Sequence, residues 1–279
     1  MTYPRLNVVP FGRQLFETAD LDPVYVALQH ASLDKTQLAR WLVSYWLFYS
    51  SGFACWASEI DGRHFWRALE VAAENEQPTP FGERWPRGSE RRHFRGKVAV
   101  EAVKRLRGQY DAPLEFLDYL TEGAADVQSV IDRARQHYLF GDWIAFKIAD
   151  MLDAVWEYPV DQSDVSVFLY KTPRDSILES WRDGTVPIDA DTEEAGLADA
   201  MDWLRKQLQD CRIPHRKRER PDWFSLETVW CKHASHMHGH YPLMKDTREI
   251  RHGLQPWTPL ARTARTFLAG MPKEPGCLM

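Results

Sequence analysis

The sequence predicts an all-α fold. Apolar residues recur at helical spacing along most of the chain, period-two alternation is nearly absent, and Ser, Asp, Gly and Pro stand where helices must start or stop. At 279 residues the chain suffices for one domain over 1–279 with a proper core, with room for two lobes and an active-site cleft between them.

Asp34 is placed to cap a helix running to about Ser51, with Leu38, Trp41, Leu42, Tyr45 and Phe48 or Tyr49 inward and Gly52 as its stop. A second helix is expected over Phe65 to Glu76, broken by Pro78-Thr79-Pro80. Ser89 is the expected cap of a third, which buries Ala99, Ala102, Val103 and Leu106 and gathers Arg91, Arg92, Arg95 and Lys97 at its first turns. Cations there oppose the helix dipole, and a docked anion would resolve the conflict. Helices over Pro113 to Leu120 and Val127 to Tyr138 follow. Phe140-Gly141-Asp142 then turns tightly into a helix from Trp143 to Leu152, with Ala145 and Ala149 small at a close approach. Pro159 to Asp164 reads as a linker before a short apolar run. Leu197, Met201, Leu204 and Leu208 mark one late helix, and Asp222 caps another through Trp230, while the acidic residues of Asp183 to Asp202 form a solvated face.

Composition narrows the function. With 44% hydrophobic and 27% charged residues the chain is neither disordered nor low in complexity, and a net charge of −5 confines any nucleic-acid site to a local patch. No segment nears the ~20 apolar residues of a membrane helix, and Met1-Thr2-Tyr3-Pro4-Arg5 lacks a signal-peptide core. Cys55, Cys211, Cys231 and Cys277 form no Cys-x-x-Cys pair, so reduced thiols are expected. Twelve tryptophans leave flat rings for stacking on bases.

Three groupings carry chemistry. The tight turn at Gly141 aims backbone N–H groups at an anion without needing a basic side chain. Pro86 to Lys97 concentrates guanidinium groups suited to bidentate phosphate binding, at Arg87, Arg91, Arg92 and Arg95, with Ser89 beside them. Trp230 to Asp246 holds four histidines in eight residues together with Lys232 and Lys245. His236 and His240 have the i, i+4 spacing of a metal pair, yet Gly239 and Pro242 interrupt the helix and no nearby Cys or carboxylate completes a ligand set. No metal and no cofactor is expected; imidazoles working with lysines on a phosphate and a nucleophile fit better.

Phe140-Gly141-Asp142-Trp143-Ile144-Ala145-Phe146-Lys147 resembles the hairpin of the helix-hairpin-helix DNA glycosylases, with Leu139 where that superfamily has its first hairpin glycine. In those enzymes a catalytic Asp follows the hairpin at the head of a helix. Asp161 and Asp164 both fall in the matching region, and spacing does not choose between them. The Schiff-base lysine of the bifunctional members is replaced by Trp143, which disfavours a lyase. Together with Ser58-Glu59-Ile60-Asp61-Gly62-Arg63-His64-Phe65-Trp66, Glu90-Arg91-Arg92-His93-Phe94-Arg95-Gly96 and Lys232 to Asp246, the hairpin run resembles the phage thymine-hypermodification family of amino acid:DNA transferases. The similarity extends from about Asp34 to Leu254.

The resemblance implies a helix-hairpin-helix, glycosylase-like fold acting on double-stranded DNA that carries 5-phosphomethyl-deoxyuridine, made by a separate upstream kinase. An amino acid, glycine favoured, or a polyamine displaces the phosphate or pyrophosphate, in the cytoplasm of the bacterial host, and shields viral DNA from restriction. Within it, Arg87, Ser89, Arg91, Arg92, Arg95 and Lys245 bind phosphate; Arg63, Lys97, Gly141, Trp143 and Lys147 contact DNA. Asp161, Asp164, Lys232 and His236 are the catalytic candidates. No Walker lysine motif or Gly-x-Gly-x-x-Gly is present, so phosphorylation belongs to another protein. A base-excision glycosylase is the alternative enzyme, and a non-catalytic DNA-binding protein the alternative from another class.

Overall fold

The computed structural model describes residues 3–162, 170–213 and 221–273, whose regular structure is helical, with no strand among the described residues. The α-helices are α1 (Val8–Glu17), α2 (Pro23–Ala31), α3 (Lys35–Phe48), α4 (Ser51–Ser58), α5 (Gly62–Glu74), α6 (Gly96–Gln109), α7 (Pro113–Thr121), α8 (Val127–Arg135), α9 (Asp142–Ala154), α10 (Lys171–Arg182), α11 (Glu193–Gln207), α12 (Trp223–Met237), α13 (Lys245–Leu254) and α14 (Arg262–Gly270). The chain divides into two compact units: Met1–Val26 with Asp161–Arg248 and Pro272–Met279, and Ala27–Val160 with Glu249–Met271. No helix among the described residues is long and apolar enough to cross a membrane.

In the first unit α12 is the hub, packed by α1, α10 and α11. It starts as expected: the Asp222 carboxylate accepts from Ser225 N at 2.9 Å and Ser225 Oγ at 2.6 Å. The core joins Phe11 and Leu15 to Ile177, Met201, Leu204, Leu226, Val229 and Trp230. Thr192 caps α11, with Glu193 and Glu194 in its first turn and Arg205 and Lys206 in its last, the order the helix dipole favours. The apolar run after Pro159 to Asp164 lies outside the described residues.

In the second unit α3 lies at the centre. Asp34 accepts from Gln37 N at 2.8 Å to start it, and from Ala39 to Phe48 every residue except Arg40 is buried. A helix apolar on all sides belongs inside a core, which is why Trp46 and Val43 are as buried as the expected Trp41 and Leu42. The helix ends sooner than expected, at Tyr49 in the left-handed region (φ 50°), and Ser50 caps the new helix α4. Gly52 therefore lies inside α4 and stops nothing. A Cβ there would sit 2.3 Å from Trp257 Cδ1 and 2.6 Å from the Gly253 carbonyl, so it is glycine for close approach.

The basic segment departs more consequentially. Ser89–Arg91 is a single 3₁₀ turn, and α6 begins at Gly96 with Arg95 preceding it. Of the four cations expected in the first turns of that helix, only Lys97 is there. Arg91 and Arg92 are thereby freed from the dipole conflict and belong to a connecting turn.

Gly52→Ala is expected to cost about 2–3 kcal/mol, the usual scale of overpacking. Gly62→Ala, whose added methyl meets nothing within 4 Å, should stay within about 0.5 kcal/mol. Denaturant unfolding checks both; equal midpoints for the two variants would contradict the packing assignment.

Candidate active site

The residues that gather around the hairpin are built on helix ends. The last carbonyls of a helix lack internal partners. The segment Trp85 to Arg95 supplies them for two helices of the second unit. Gly88 N donates to the Phe48 carbonyl at 3.0 Å and Arg91 Nε to the Leu47 carbonyl at 3.0 Å, both at the end of α3. Arg87 Nη2 donates to the Ala72 carbonyl at 2.6 Å near the end of α5, and its other nitrogens bind the carbonyls of Phe94, Trp85 and Pro86. The Arg87 guanidinium also lies 4.4 Å over the Phe48 ring. Burial, with Arg95 and Arg91 nearby, pulls the Arg87 pKa down to about 9, and burial takes Arg91 to about 10; both stay charged at neutral pH.

Arg91 reaches further. Its Nη1 donates at 2.9 Å to the carbonyl of Leu139, which holds φ 68° in the hairpin turn. A leucine in this left-handed conformation costs about 1–2 kcal/mol of backbone strain. The turn continues through Phe140 to Gly141, which precedes α9 and is exposed. Buried His137 fixes the preceding helix, with Nδ1 against the Arg133 and Ala134 carbonyls and Nε2 2.9 Å from the Tyr110 hydroxyl. An open cavity of about 440 Å³ beside this turn is lined by Arg105, Arg135 and Gln136 to Gly141. Asp142 pairs with Arg135 at 2.9 Å.

On α9, Trp143 is 37% exposed. Lys147, expected on DNA, is turned inward: its ammonium donates to Asp150 Oδ2 at 2.8 Å, with the side chains only 12% and 2% exposed. Ser89, Arg92, Arg95 and Lys97 are exposed. Arg92 Nε donates to His93 Nε2 at 3.2 Å, and the side chains of Arg95 and Lys97 have no hydrogen-bond or ion-pair partner among the described residues. Arg63 is exposed at the start of α5 and paired with Asp61 at 3.3 Å.

The lysines and histidines of α12 lie in the first unit and do structural work there. Lys232 has three N–H donors and three acceptors: the Asp20 carbonyl at 2.6 Å, Tyr241 Oη at 2.8 Å and Asp246 Oδ2 at 2.6 Å. Burial opposes its charge, but Asp246, Asp20 and Asp22 outweigh that and hold its pKa above the ordinary lysine value. The fully buried Asp20 carboxylate accepts from Tyr241 Oη, Met244 N, Thr247 N and Thr247 Oγ1, and so caps the start of α13 from a distance. His236 has both ring nitrogens engaged: Nδ1 donates to the Tyr241 carbonyl at 2.9 Å, and Nε2 accepts from Leu6 N at 2.9 Å. Neither is open to a substrate proton in this arrangement. His233 is also buried, while His238 and His240 are exposed, so the four histidines do not converge. Among the described residues no group of three or more His, Cys, Asp or Glu is arranged to hold a metal. Lys245 is half-buried with its ammonium 5.9 Å from the Tyr241 ring. Asp161 is exposed, and Asp164 lies outside the described residues.

The structure thus brings Arg91, the hairpin and the Arg92–Lys97 turn together within the second unit, and keeps Lys232, His236 and Lys245 in the first. Sequence reasoning did not single out Asp20, whose partners Tyr241, Met244 and Thr247 lie more than 200 residues away.

Residues 8–240 match the amino acid:DNA transferase family, and the chain belongs to it. The protein is a transferase. Among relatives, it is 37% identical to a glycinyltransferase of Pseudomonas phage PaMx11, over 97% of this chain and 98% of that protein. It is 27% identical to a putrescinyltransferase of Delftia phage PhiW-14, over 58% of this chain and 50% of that one.

Two predictions come from these contacts. Arg91→Ala strands the Leu47 and Leu139 carbonyls together and should cost about 3 kcal/mol; unfolding at the wild-type midpoint would contradict the staple. Burial, reinforced by His236, lowers the His233 pKa to about 4 from an ordinary 6.5. The neutral ring is therefore neutral in the folded and unfolded chain above pH 6.5, and stability falls as pH drops from 6.5 towards 4, where the unfolded chain takes the proton first. The loss should reach about 3 kcal/mol. Calorimetry of His233→Gln against wild type should show a flatter profile in that window; parallel profiles would contradict it.

Proposed function

We propose that the protein replaces the phosphate of 5-phosphomethyl-deoxyuridine in double-stranded phage DNA with an amine, glycine in preference to a polyamine, after a separate kinase has installed the phosphate. The preference for glycine rests on the relationship to the PaMx11 glycinyltransferase, which runs nearly end to end. The observation in the fold that carries the reading is the exposed group of Arg92, Arg95 and Lys97, where the turn enters α6, tied through Arg91 to the hairpin. In substitution at the methylene carbon, a C–N bond forms as the C–O bond to phosphate breaks, and charge builds on the departing oxyanion. Guanidinium groups without carboxylate partners are suited to that charge.

The arginines divide the work. Arg87 and Arg91, committed to carbonyls, position the turn; Arg92 and Arg95 meet phosphate, with Ser89 and Lys97 beside them. The open N–H groups at the start of α9, after Gly141, take a phosphate of the DNA strand. The attacking amine must first lose a proton. Both ring nitrogens of His236 are hydrogen-bonded within the first unit, so that imidazole is not the acceptor. The base must leave the duplex stack for its methylene carbon to be reached.

The test incubates the protein with duplex DNA carrying 5-phosphomethyl-deoxyuridine and a panel of amines, followed by mass spectrometry of the nucleosides. Glycine should add its mass and release one phosphate per nucleoside changed. Intact starting nucleoside with every amine would overturn the reading, and abasic sites would make the protein a glycosylase. Arg92→Ala with Arg95→Ala should lower turnover about 100-fold or more without changing the unfolding midpoint.

A further inference from the structure

Two helical stripes face each other in the second unit. On α3, Trp41 and Tyr45 follow at i and i+4 and Tyr49 caps the helix end, with successive ring centroids 4.8 and 4.6 Å apart. On α9, Trp143, Lys147 and Asp150 follow at i, i+4 and i+7. The stripes meet where Tyr49 stands edge-on to Trp143, centroids 4.9 Å apart and planes at 75°. Tyr45 is buried against Tyr49, within electrostatic reach of Lys147 and Glu90. The seam is therefore aromatic at its open edge and charged at depth.

Two features mark the seam. Trp143 leaves more than a third of its surface in water on a helix whose other large apolar side chains are buried. The Lys147–Asp150 ion pair is sunk beneath it, where burial costs both charges part of their hydration. With its side chain 12% exposed, Lys147 is largely withdrawn from a strand phosphate lying on the surface.

We propose that this seam receives the everted pyrimidine, with Tyr49 and Trp143 stacking on the ring, Lys147 donating to a ring carbonyl, and Asp150 positioning Lys147. The proposal rests on the DNA-transfer reading above and names where the target base sits. The backbone of Gly88 presses on Tyr49, where a Cβ would lie 2.5 Å from the Tyr49 carbonyl, so the arginine turn and the wall of the seam are fixed to one another.

The test uses the full chain at saturating concentration and a duplex with one 5-hydroxymethyl-deoxyuridine, which carries no leaving phosphate, beside a 2-aminopurine whose fluorescence rises when its neighbour leaves the stack. Wild type should raise the signal. Trp143→Ala, at an exposed site, should reduce the everted fraction about 5- to 100-fold, the range for loss of one base–aromatic stack. Lys147→Met combined with Asp150→Leu, which replaces the pair by apolar volume, should abolish the rise, and Lys147→Arg should restore part of it. Wild-type signal in both Trp143→Ala and the double variant would overturn the seam as the base site, and if the double variant does not fold, Trp143→Ala decides. Eversion precedes chemistry, so eversion without amine transfer on phosphorylated DNA would sink the transfer reading alone.

Discussion

One guanidinium joins the parts of the candidate site. Arg91 takes the Leu47 carbonyl at the end of α3 with one nitrogen and the Leu139 carbonyl of the hairpin turn with another. Each acceptor has a reason to need it. Leu47 lies in the last turn of a helix, where carbonyls lack internal partners and a cation is favoured by the dipole. Leu139 occupies a left-handed conformation that a side chain tolerates only when its surroundings hold it. The same bond fixes where α9 starts, and hence where Gly141, Trp143 and Lys147 are presented.

The positive charge of the segment Arg87 to Lys97 is thus divided by burial. Arg87 and Arg91 are drawn in, and desolvation lowers their pKa values without discharging them. Arg92 and Arg95 remain outside on the turn, and Lys97 in the first turn of α6, while Gly88 anchors the segment by its bond to the Phe48 carbonyl and its contact with Tyr49. In the proposed transfer these cations meet the developing oxyanion, the role in which preorganised charge is most effective. In the first unit the opposite holds: Lys232 has spent every donor on Asp20, Tyr241 and Asp246, and the result is a knot that fastens α12 to the start of α13.

Local signals were legible in the sequence, and long-range ones were not. Asp34, Asp222 and the turn before Trp143 announced α3, α12 and α9 because cap and helix lie within a few residues. Ser89 misled, since a cap residue before cations resembles a helix start, whereas the real start waits for Gly96 at φ 64°. Gly52 misled because a glycine demanded by Trp257, some two hundred residues on, looks the same as a helix stop. Helices α1, α2, α4, α10, α13 and α14 were not anticipated; α13 takes its cap from Asp20, far away in sequence. The cluster of basic residues was legible in the sequence, but its division into buried and exposed arginines was not. Which arginines turn inward depends on where the carbonyls of α3 and α5 end, and only the packed chain shows that.

Hydrogen exchange with mass spectrometry, on the full chain with and without a duplex carrying 5-phosphomethyl-deoxyuridine, tests most directly whether the Arg91-stapled corner is where DNA is engaged. DNA should slow exchange in residues 88–97 and 139–147 more than elsewhere, and the same duplex carrying thymidine should slow 139–147 more than 88–97. Protection confined to segments of the first unit, with 88–97 and 139–147 exchanging as in the free protein, would contradict the account.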